Sequence, residues 1–175
     1  QSSSAFASPA PNLSPEGVAR HLIGDSEFEQ TFVTAPALLN SGLGPAFNNN
    51  SCVACHPKDG RGRPPEEGGI SNSFFLRLSI PGTDPNTEGP LAMPGFGTQL
   101  FDRAVFGVQR HAIVSTTYTE IDGKFGDNTP YRLRKPIFTI ADPYINLPKE
   151  YLISPRVAPP VFGRGLLEAI SDDTL

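Results

Sequence analysis

The chain has 175 residues, a length that fits one domain. Its net charge is −4 and its Lys and Arg residues form no cluster, which argues against a nucleic-acid partner. No stretch is apolar for long enough to cross a membrane, so the protein is not expected to span one. The 19 prolines and 17 glycines predict many loops, while 12 phenylalanines spread along the chain can supply a modest core.

The amino-terminal residues, 1–13, are rich in Ser, Ala, Pro and Asn and predict a flexible leader. The chain begins with Gln1 followed by serines, which is typical of a mature end after removal of a signal peptide. We therefore expect an exported protein, in the periplasm or outside the cell.

Two helices are predicted next. Ser14 is a suitable N-cap and Pro15 suits the first helical position, so the first helix should run to about Ile23 and stop at Gly24. The second should begin near Ser26, whose spacing to Glu29 is that of a capping box. Phe28 and Phe32 share one face of it, and residues 35–39 are expected to add a turn of helix.

The sequence Cys52-Val53-Ala54-Cys55-His56 contains both cysteines of the chain. C-x-x-C-H is the attachment sequence of a c-type haem. Two thiols three positions apart can bond to the two vinyl groups of one porphyrin, and the adjacent histidine can then be an axial ligand of the iron. The motif therefore predicts one covalent haem c held by Cys52, Cys55 and His56.

Other chemistry fits this motif less well. A structural zinc site needs four ligands, and the motif supplies too few at a usable spacing. A thioredoxin-like redox pair belongs between a strand and a helix, whereas residues 48–51, Asn-Asn-Asn-Ser, read as a loop. A redox pair, a metal site and a plain disulfide stay as alternatives, with haem favoured over all three.

The chain after the motif mixes short elements with loops. Phe74 to Ile80 reads as a strand, and Gly97 to Val108 reads as a helix because Leu100, Ala104 and Val108 share one face. His111 to Ile121 is β-branched and strand-like, with a turn at Asp122-Gly123, a second turn at residues 128–130 and an antiparallel return strand from Tyr131. A short apolar helix, Leu166 to Ile170, is expected to end the chain.

Arginines are the expected partners of the haem propionates, because guanidinium groups bind carboxylates bidentately. Arg61, in the loop after the motif, is a candidate, as is the neighbouring Arg63. Arg134 and Arg156 are further candidates. An ordinary solvated or structural role is the alternative for each of them.

With these residues in view, the chain resembles the bacterial di-haem oxidoreductase family, whose members are described as di-haem peroxidases or thiol oxidoreductases. The resemblance spans about residues 24–175 and rests on three blocks: 42–48 leading into 51–56; 96–100 with 118–120 and 131–136; and 154–170. Family members carry a second C-x-x-C-H after the third block, and this chain, ending at Leu175, holds only one. It therefore resembles the N-terminal haem half, in which one haem typically relays electrons to another.

The residue opposite His56 decides the chemistry of the iron. A sixth protein ligand favours electron transfer, whereas an open position permits reaction with peroxide or another small ligand. Met93, in a Gly/Pro-rich loop, is the first candidate for that ligand, His111 the second and His21 the third. A buried gap-filling role is the usual one for a lone methionine.

We expect a mainly helical, loop-rich, cytochrome c-like domain over residues 14–175, with a small antiparallel β excursion at about residues 112–140. The expected function is electron transfer through one covalent haem c to a redox partner protein or a second haem domain. The alternative is an enzyme, a haem peroxidase with an open distal position, and whether this chain alone is an enzyme is left open.

Overall fold

The structure, a computed structural model, describes residues 4–69 and 72–174. The first three residues of the expected leader therefore lie outside the described residues. The helices are α1 (Pro15–Glu29), α2 (Cys52–Cys55) and α3 (Arg164–Glu168), with 3₁₀ turns at Pro57–Asp59 and Asp172–Thr174. The strands are β1 (Val33–Thr34), β2 (Ser41–Leu43), β3 (Ala46–Phe47), β4 (Phe74–Thr83), β5 (Pro90–Leu91), β6 (Arg103–Ala104), β7 (Ile113–Lys124), β8 (Pro130–Ala141) and β9 (Leu152–Val157).

The expectation of a mainly helical fold is wrong. Helix accounts for 18% of the chain and strand for 32%, so the protein is mainly β. The physical reason is that the central strand β4 pairs with β5 on one edge and β9 on the other, and the long strands β7 and β8 pair with each other along their whole length. Strands that pair over such distances are specified by tertiary contacts that a local pattern does not reveal.

The hydrophobic core lies on one face of β4. Phe74, Leu76 and Leu78 alternate inward and are at most 8% exposed, whereas the residues between them face the other side of the sheet. Met93, Phe96, Leu100 and Ala112 complete the buried cluster, and Val114, Phe138 and Ile140 of the β7–β8 hairpin pack against it. The core is thus made by a sheet, the loop beside it and the base of a hairpin.

The segment from Gly97 to Val108 is not the predicted helix. Leu100 donates its backbone N–H to the Leu76 carbonyl at 3.0 Å, and Leu78 donates to the Thr98 carbonyl at 3.0 Å, so this part of the chain runs extended along β4. Residues 103–104 then form β6, which pairs with β3 just before the cysteine motif. Of the residues whose spacing predicted a helical face, Leu100 lies in the hydrophobic core, and it reaches the core from an extended segment.

The first helix is longer than predicted and continues through Gly24 to Glu29. Its start is confirmed, since the Ser14 side chain accepts a hydrogen bond from the backbone N–H of Gly17. Residues 35–39 form bends rather than the expected helical turn. Within the described residues, none of the helices combines the length and apolar character needed to traverse a bilayer.

The β7–β8 hairpin confirms the expected antiparallel pair but moves its turn. Asp122 and Gly123 lie inside β7, opposite Arg132 and Tyr131 of β8. The Asp122 carboxylate accepts a 2.7 Å hydrogen bond from the guanidinium of Arg132, and Gly123 leaves the room that the Tyr131 ring occupies. The chain reverses at residues 125–129, where Phe125 donates its N–H to the Thr129 carbonyl.

Candidate functional site

The cysteine motif forms a single helical turn. The Ser51 hydroxyl caps it by accepting a hydrogen bond from the backbone N–H of Ala54 at 3.2 Å. His56 donates its own N–H to the Cys52 carbonyl at 2.9 Å, which brings the imidazole directly behind α2. Cys52 and Cys55, three positions apart, lie on neighbouring parts of one helix face, and neither forms a disulfide.

A second segment, residues 158–161, packs beside the motif and forms hydrogen bonds to it and to the loop that follows it. Gly62 donates its N–H to the Ala158 carbonyl at 2.9 Å, and Val161 donates to the Asp59 carbonyl at 3.0 Å. These two bonds bring the carbonyl of Pro159 within 2.6 Å of the Nδ1 atom of His56. Segments more than a hundred positions apart in sequence are thereby joined at the imidazole.

The contact with Pro159 determines the tautomer of His56. A carbonyl oxygen can only accept, so Nδ1 must carry the proton and donate it. Nε2 of the neutral ring then has a free lone pair, which is the form in which histidine binds a metal. A backbone carbonyl on the other ring nitrogen is also the usual way in which a ligating histidine is oriented.

The two thiols differ in their surroundings. Cys52 is exposed, whereas Cys55 is half-buried and donates from its Sγ to the Asn72 carbonyl at 2.9 Å. Burial raises the pKa of the Cys55 thiol above its ordinary value, although the Asn49 side chain and the Arg103 charge oppose this shift. Cys55 is therefore held as a neutral thiol rather than as a reactive thiolate.

A pocket of about 650 Å³ opens beside the motif, and we call it the cysteine pocket. Its walls come from the end of α1, the loop before α2, the motif itself and the start of α3. The lining residues are Phe28, Phe32, Asn49, Asn50, Ser51, Cys52, Cys55, His56, Val161 and Arg164. The Phe28 and His56 rings are 6.1 Å apart and tilted by 58°, so an apolar side chain flanks the imidazole. Both phenylalanines line this site, but the shared helix face predicted for them is wrong, because α1 ends at Glu29 and Phe32 lies in the loop after it.

The other predicted site residues lie elsewhere. Among the described residues, Met93, His111, Arg61, Arg134 and Arg156 are not part of the lining of the cysteine pocket. Met93 is 1% exposed in the hydrophobic core, and Arg134 lies over the ring of Tyr118 at 4.6 Å on the β7–β8 hairpin. Arg156 is on β9, paired with Phe75 of β4, and Arg61 is exposed in the loop after the motif.

The two remaining histidines also have their own contacts. His111 accepts a hydrogen bond on Nδ1 from the Phe101 N–H at 3.3 Å and stacks on Tyr144 with 5.1 Å between the ring centroids. Burial lowers the pKa of His111. His21, on α1, has its Nε2 atom 3.3 Å from the Ala7 carbonyl. The ligand roles suggested for Met93, His111 and His21 stay predictions.

Sequence reasoning missed Arg164, the arginine that lines the cysteine pocket. A signal for it was present, since Arg164 follows Gly163, and Gly163 has a φ of +78° and caps the start of α3. A glycine in that conformation fixes the direction in which the next residues leave the turn. The sequence did not predict that the segment before Arg164 contacts the motif, through Ala158 and Pro159.

Comparison with known proteins gives the class to which this fold and site belong. The whole chain, residues 1–175, matches the family described as "Di-haem oxidoreductase, putative peroxidase". The protein belongs to this di-haem oxidoreductase family, and its cofactor is haem. No curated protein and no solved structure matches the chain.

The residues of the cysteine pocket fit a haem. Two unpaired thiols, an imidazole with a free Nε2 lone pair and an apolar wall meet around one cavity. Arg164 adds a positive charge that suits a propionate carboxylate. Such a donor set would hold a haem covalently through sulfur and axially through nitrogen.

Proposed function

We propose that this chain transfers electrons through one haem c, attached covalently to Cys52 and Cys55 and ligated by His56. The observation that carries the proposal is the hydrogen bond between His56 Nδ1 and the Pro159 carbonyl, which leaves Nε2 as a ligand atom. A bound haem would supply a one-electron couple, and the protein's part is to hold, orient and partly shield it.

The chain's own groups have distinct tasks in this proposal. Pro159 fixes the orientation of the His56 imidazole through its carbonyl. Phe28, Phe32 and Val161 exclude water from one side of the pocket, while Arg164 balances a propionate charge. The exposure of Cys52 leaves one edge of the site near the surface, where a redox partner protein or a second haem domain can approach.

We also propose that the protein works outside the cytoplasm, in the periplasm or beyond. Covalent haem c is assembled there. The two thiols of the motif are free and must stay reduced until the haem is attached. Expression with and without export to the periplasm tests the proposal, since covalent haem should be found only in the exported protein. Equal loading of a cytoplasmic form would contradict it.

A second candidate function is reduction of peroxide or a small ligand at an open iron position. The observation that favours it is that, in the part of the chain that the structure describes, the cysteine pocket is lined by neither a methionine nor a second histidine. This candidate makes the site catalytic rather than a relay.

A pyridine haemochrome assay and an intact mass test the attachment. The exported wild type should gain the mass of one haem, and the Cys52→Ala/Cys55→Ala double variant should gain none. The control is Arg20→Gln on the exposed surface of α1, which keeps the motif and should load normally. A wild-type protein without haem c would end both proposals.

Absorption spectra then separate the two functions. A low-spin spectrum that cyanide and peroxide leave unchanged supports the electron carrier and excludes the open site. A high-spin band that shifts on adding cyanide supports the peroxidase and excludes a six-coordinate carrier. Variants of Met93, His111 and His21 show which of them, if any, is the sixth ligand.

A further inference from the structure

A second pocket, of about 610 Å³, lies on the outer face of the sheet formed by β4 and β9. We call it the arginine pocket because Arg77 of β4 and Arg156 of β9 both line it. The alternation of β4 explains the arrangement. Leu76 and Leu78 face the core, so Phe75 and Arg77 must face the opposite side of the sheet.

The register of the two strands brings the arginines together. Phe75 is paired with Arg156, and Arg77 is paired with Ser154, so Arg77 and Arg156 are diagonal neighbours on one face. Diagonal neighbours in an antiparallel pair are roughly 7–8 Å apart, within reach of long side chains. Two guanidinium groups can therefore converge on one ligand.

In the part of the chain that the structure describes, no carboxylate forms an ion pair with these two arginines. Among the described residues that line the arginine pocket there is no Asp or Glu, and neither Arg77 nor Arg156 takes part in an ion pair within residues 4–69 and 72–174. The other walls include Phe75, Pro90 and Pro159, which are apolar. The pocket thus combines two unbalanced planar cations with an apolar wall.

We propose that the arginine pocket binds an organic carboxylate with an apolar body. Arginine recognises carboxylates bidentately through its planar fork of donors, and the volume is that of a small-molecule site. The carboxylate can come from a free metabolite-sized acid or from a propionate of a haem that is not attached to residues 52–55. A second haem is a reasonable source, because the family is di-haem and these 175 residues contain one C-x-x-C-H motif. The experiment therefore uses one probe for each source.

Binding in the arginine pocket should also affect the iron site, because the two sites share Pro159. Pro159 lines the arginine pocket, and its carbonyl accepts the hydrogen bond from His56. A ligand against Pro159 therefore acts on the group that orients the imidazole. This consequence rests on the proposed haem function, whereas binding itself does not.

The test is calorimetric titration of the exported wild-type protein with two probes. One is 3-phenylpropionate, a free acid, and the other is metal-free mesoporphyrin IX, which carries two propionates. The neutral 3-phenylpropanamide is the control ligand. We expect at least one acid to bind and the amide to bind at least tenfold more weakly, because the charge-assisted hydrogen bonds are lost.

Variants locate the site. Arg77→Gln and Arg156→Gln should each weaken binding about tenfold or more, and Arg20→Gln, which removes an equal charge from α1, should leave it unchanged. Binding of 3-phenylpropionate indicates a free acid as the source, and binding of the porphyrin alone indicates a haem propionate. Failure of both acids to bind, equal binding of the amide, or binding unaffected by both pocket variants would overturn the proposal.

The haem content of the same sample, from its intact mass, keeps the two proposals separate. A protein without haem that binds the acid through Arg77 and Arg156 contradicts the proposed function and supports the arginine pocket. A haem-loaded protein that binds neither acid supports haem attachment and contradicts the proposed role of the arginine pocket. In the loaded protein a bound acid should also shift the Soret band, and the shift should disappear in Arg156→Gln.

Discussion

Arg164 is the positive charge that the structure brings to the cysteine pocket. With the proposed haem in that pocket, a nearby cation would favour the reduced state, in which the haem carries one positive charge less. We expect Arg164→Gln to lower the midpoint potential by roughly 20–60 mV, since about 59 mV corresponds to 1.4 kcal/mol for one electron. A spectroelectrochemical titration measures it.

The control for Arg164 is Arg20→Gln, which removes the same charge from the exposed surface of α1. Its potential should stay within a few millivolts of the wild type. Equal shifts in both variants would mean that Arg164 acts only through the net charge of the protein.

Asp102 gives a prediction about pH. Burial raises the pKa of its carboxyl, while the hydrogen bond from the Asn48 amide and the charge of Arg103 act in the opposite direction. A raised pKa in the folded state means that this group stabilises the fold fully below its unfolded pKa near 3.9. That contribution is lost as the pH rises through the folded pKa.

Asp102→Asn removes this titration and keeps an oxygen for Asn48 to donate to. We therefore expect the variant to gain stability relative to the wild type as the pH rises from 3 to 7. Denaturant unfolding across this range measures the difference. Parallel pH profiles of the two proteins would show that burial of Asp102 carries no penalty.

Among the elements, the loop after the motif depends on Gly62. A Cβ placed there would lie 2.3 Å from the Ser73 Cβ, and the Gly62 N–H holds the Ala158 carbonyl. Gly62→Ala should therefore reduce the free energy of unfolding by about 1–3 kcal/mol. It should also loosen the contact between His56 and Pro159.

Gly126 provides the matched control in the β7–β8 turn, since nothing lies within 4 Å of a Cβ there. Gly126→Ala should change the free energy of unfolding by less than about 0.5 kcal/mol. Urea unfolding of the two variants decides the matter. A similar effect at both positions would indicate a general intolerance of side chains in loops instead of the close packing at Gly62.

The elements that the sequence predicted well are those with strong local signals. Ser14 and Pro15 specify the start of α1, and the run after His111 is rich enough in β-branched residues to predict β7. The single helical turn of the cysteine motif follows Ser51, a good N-cap, while the haem attachment that its spacing predicts stays a prediction. These features need no knowledge of what packs against them.

The elements that it predicted wrongly depend on distant partners. Residues 97–108 have a helical spacing of apolar residues but run along β4, and β9 was missed because its pairing partner lies about 80 positions earlier. The turn predicted at Asp122-Gly123 was wrong because these residues pair with Arg132 and Tyr131 of β8 within the hairpin. Arg164 was missed for the same reason, since only the folded chain brings α3 to the motif.

At the scale of the whole molecule, stability should depend on the face of β4 that makes the core. Leu76 is 0% exposed at its centre, so Leu76→Ala should cost about 2–5 kcal/mol of unfolding free energy through lost burial and the cavity left behind. Leu38→Ala is the control, because Leu38 is fully exposed and should change it by less than about 0.5 kcal/mol. Thermal or denaturant unfolding measures both, and a small effect at Leu76 would place the core elsewhere.

The bond between His56 and Pro159 joins residues 103 positions apart, and that separation also sets an order in time. Closing so long a loop costs entropy before any contact is gained, so this bond forms late in folding. Until the loop closes, the Pro159 carbonyl does not yet orient His56, and the motif is not yet held by residues 158–161. Under the proposed function, we therefore expect a haem to be attached to the exported chain before this bond forms, and the bond then to fix the imidazole in place.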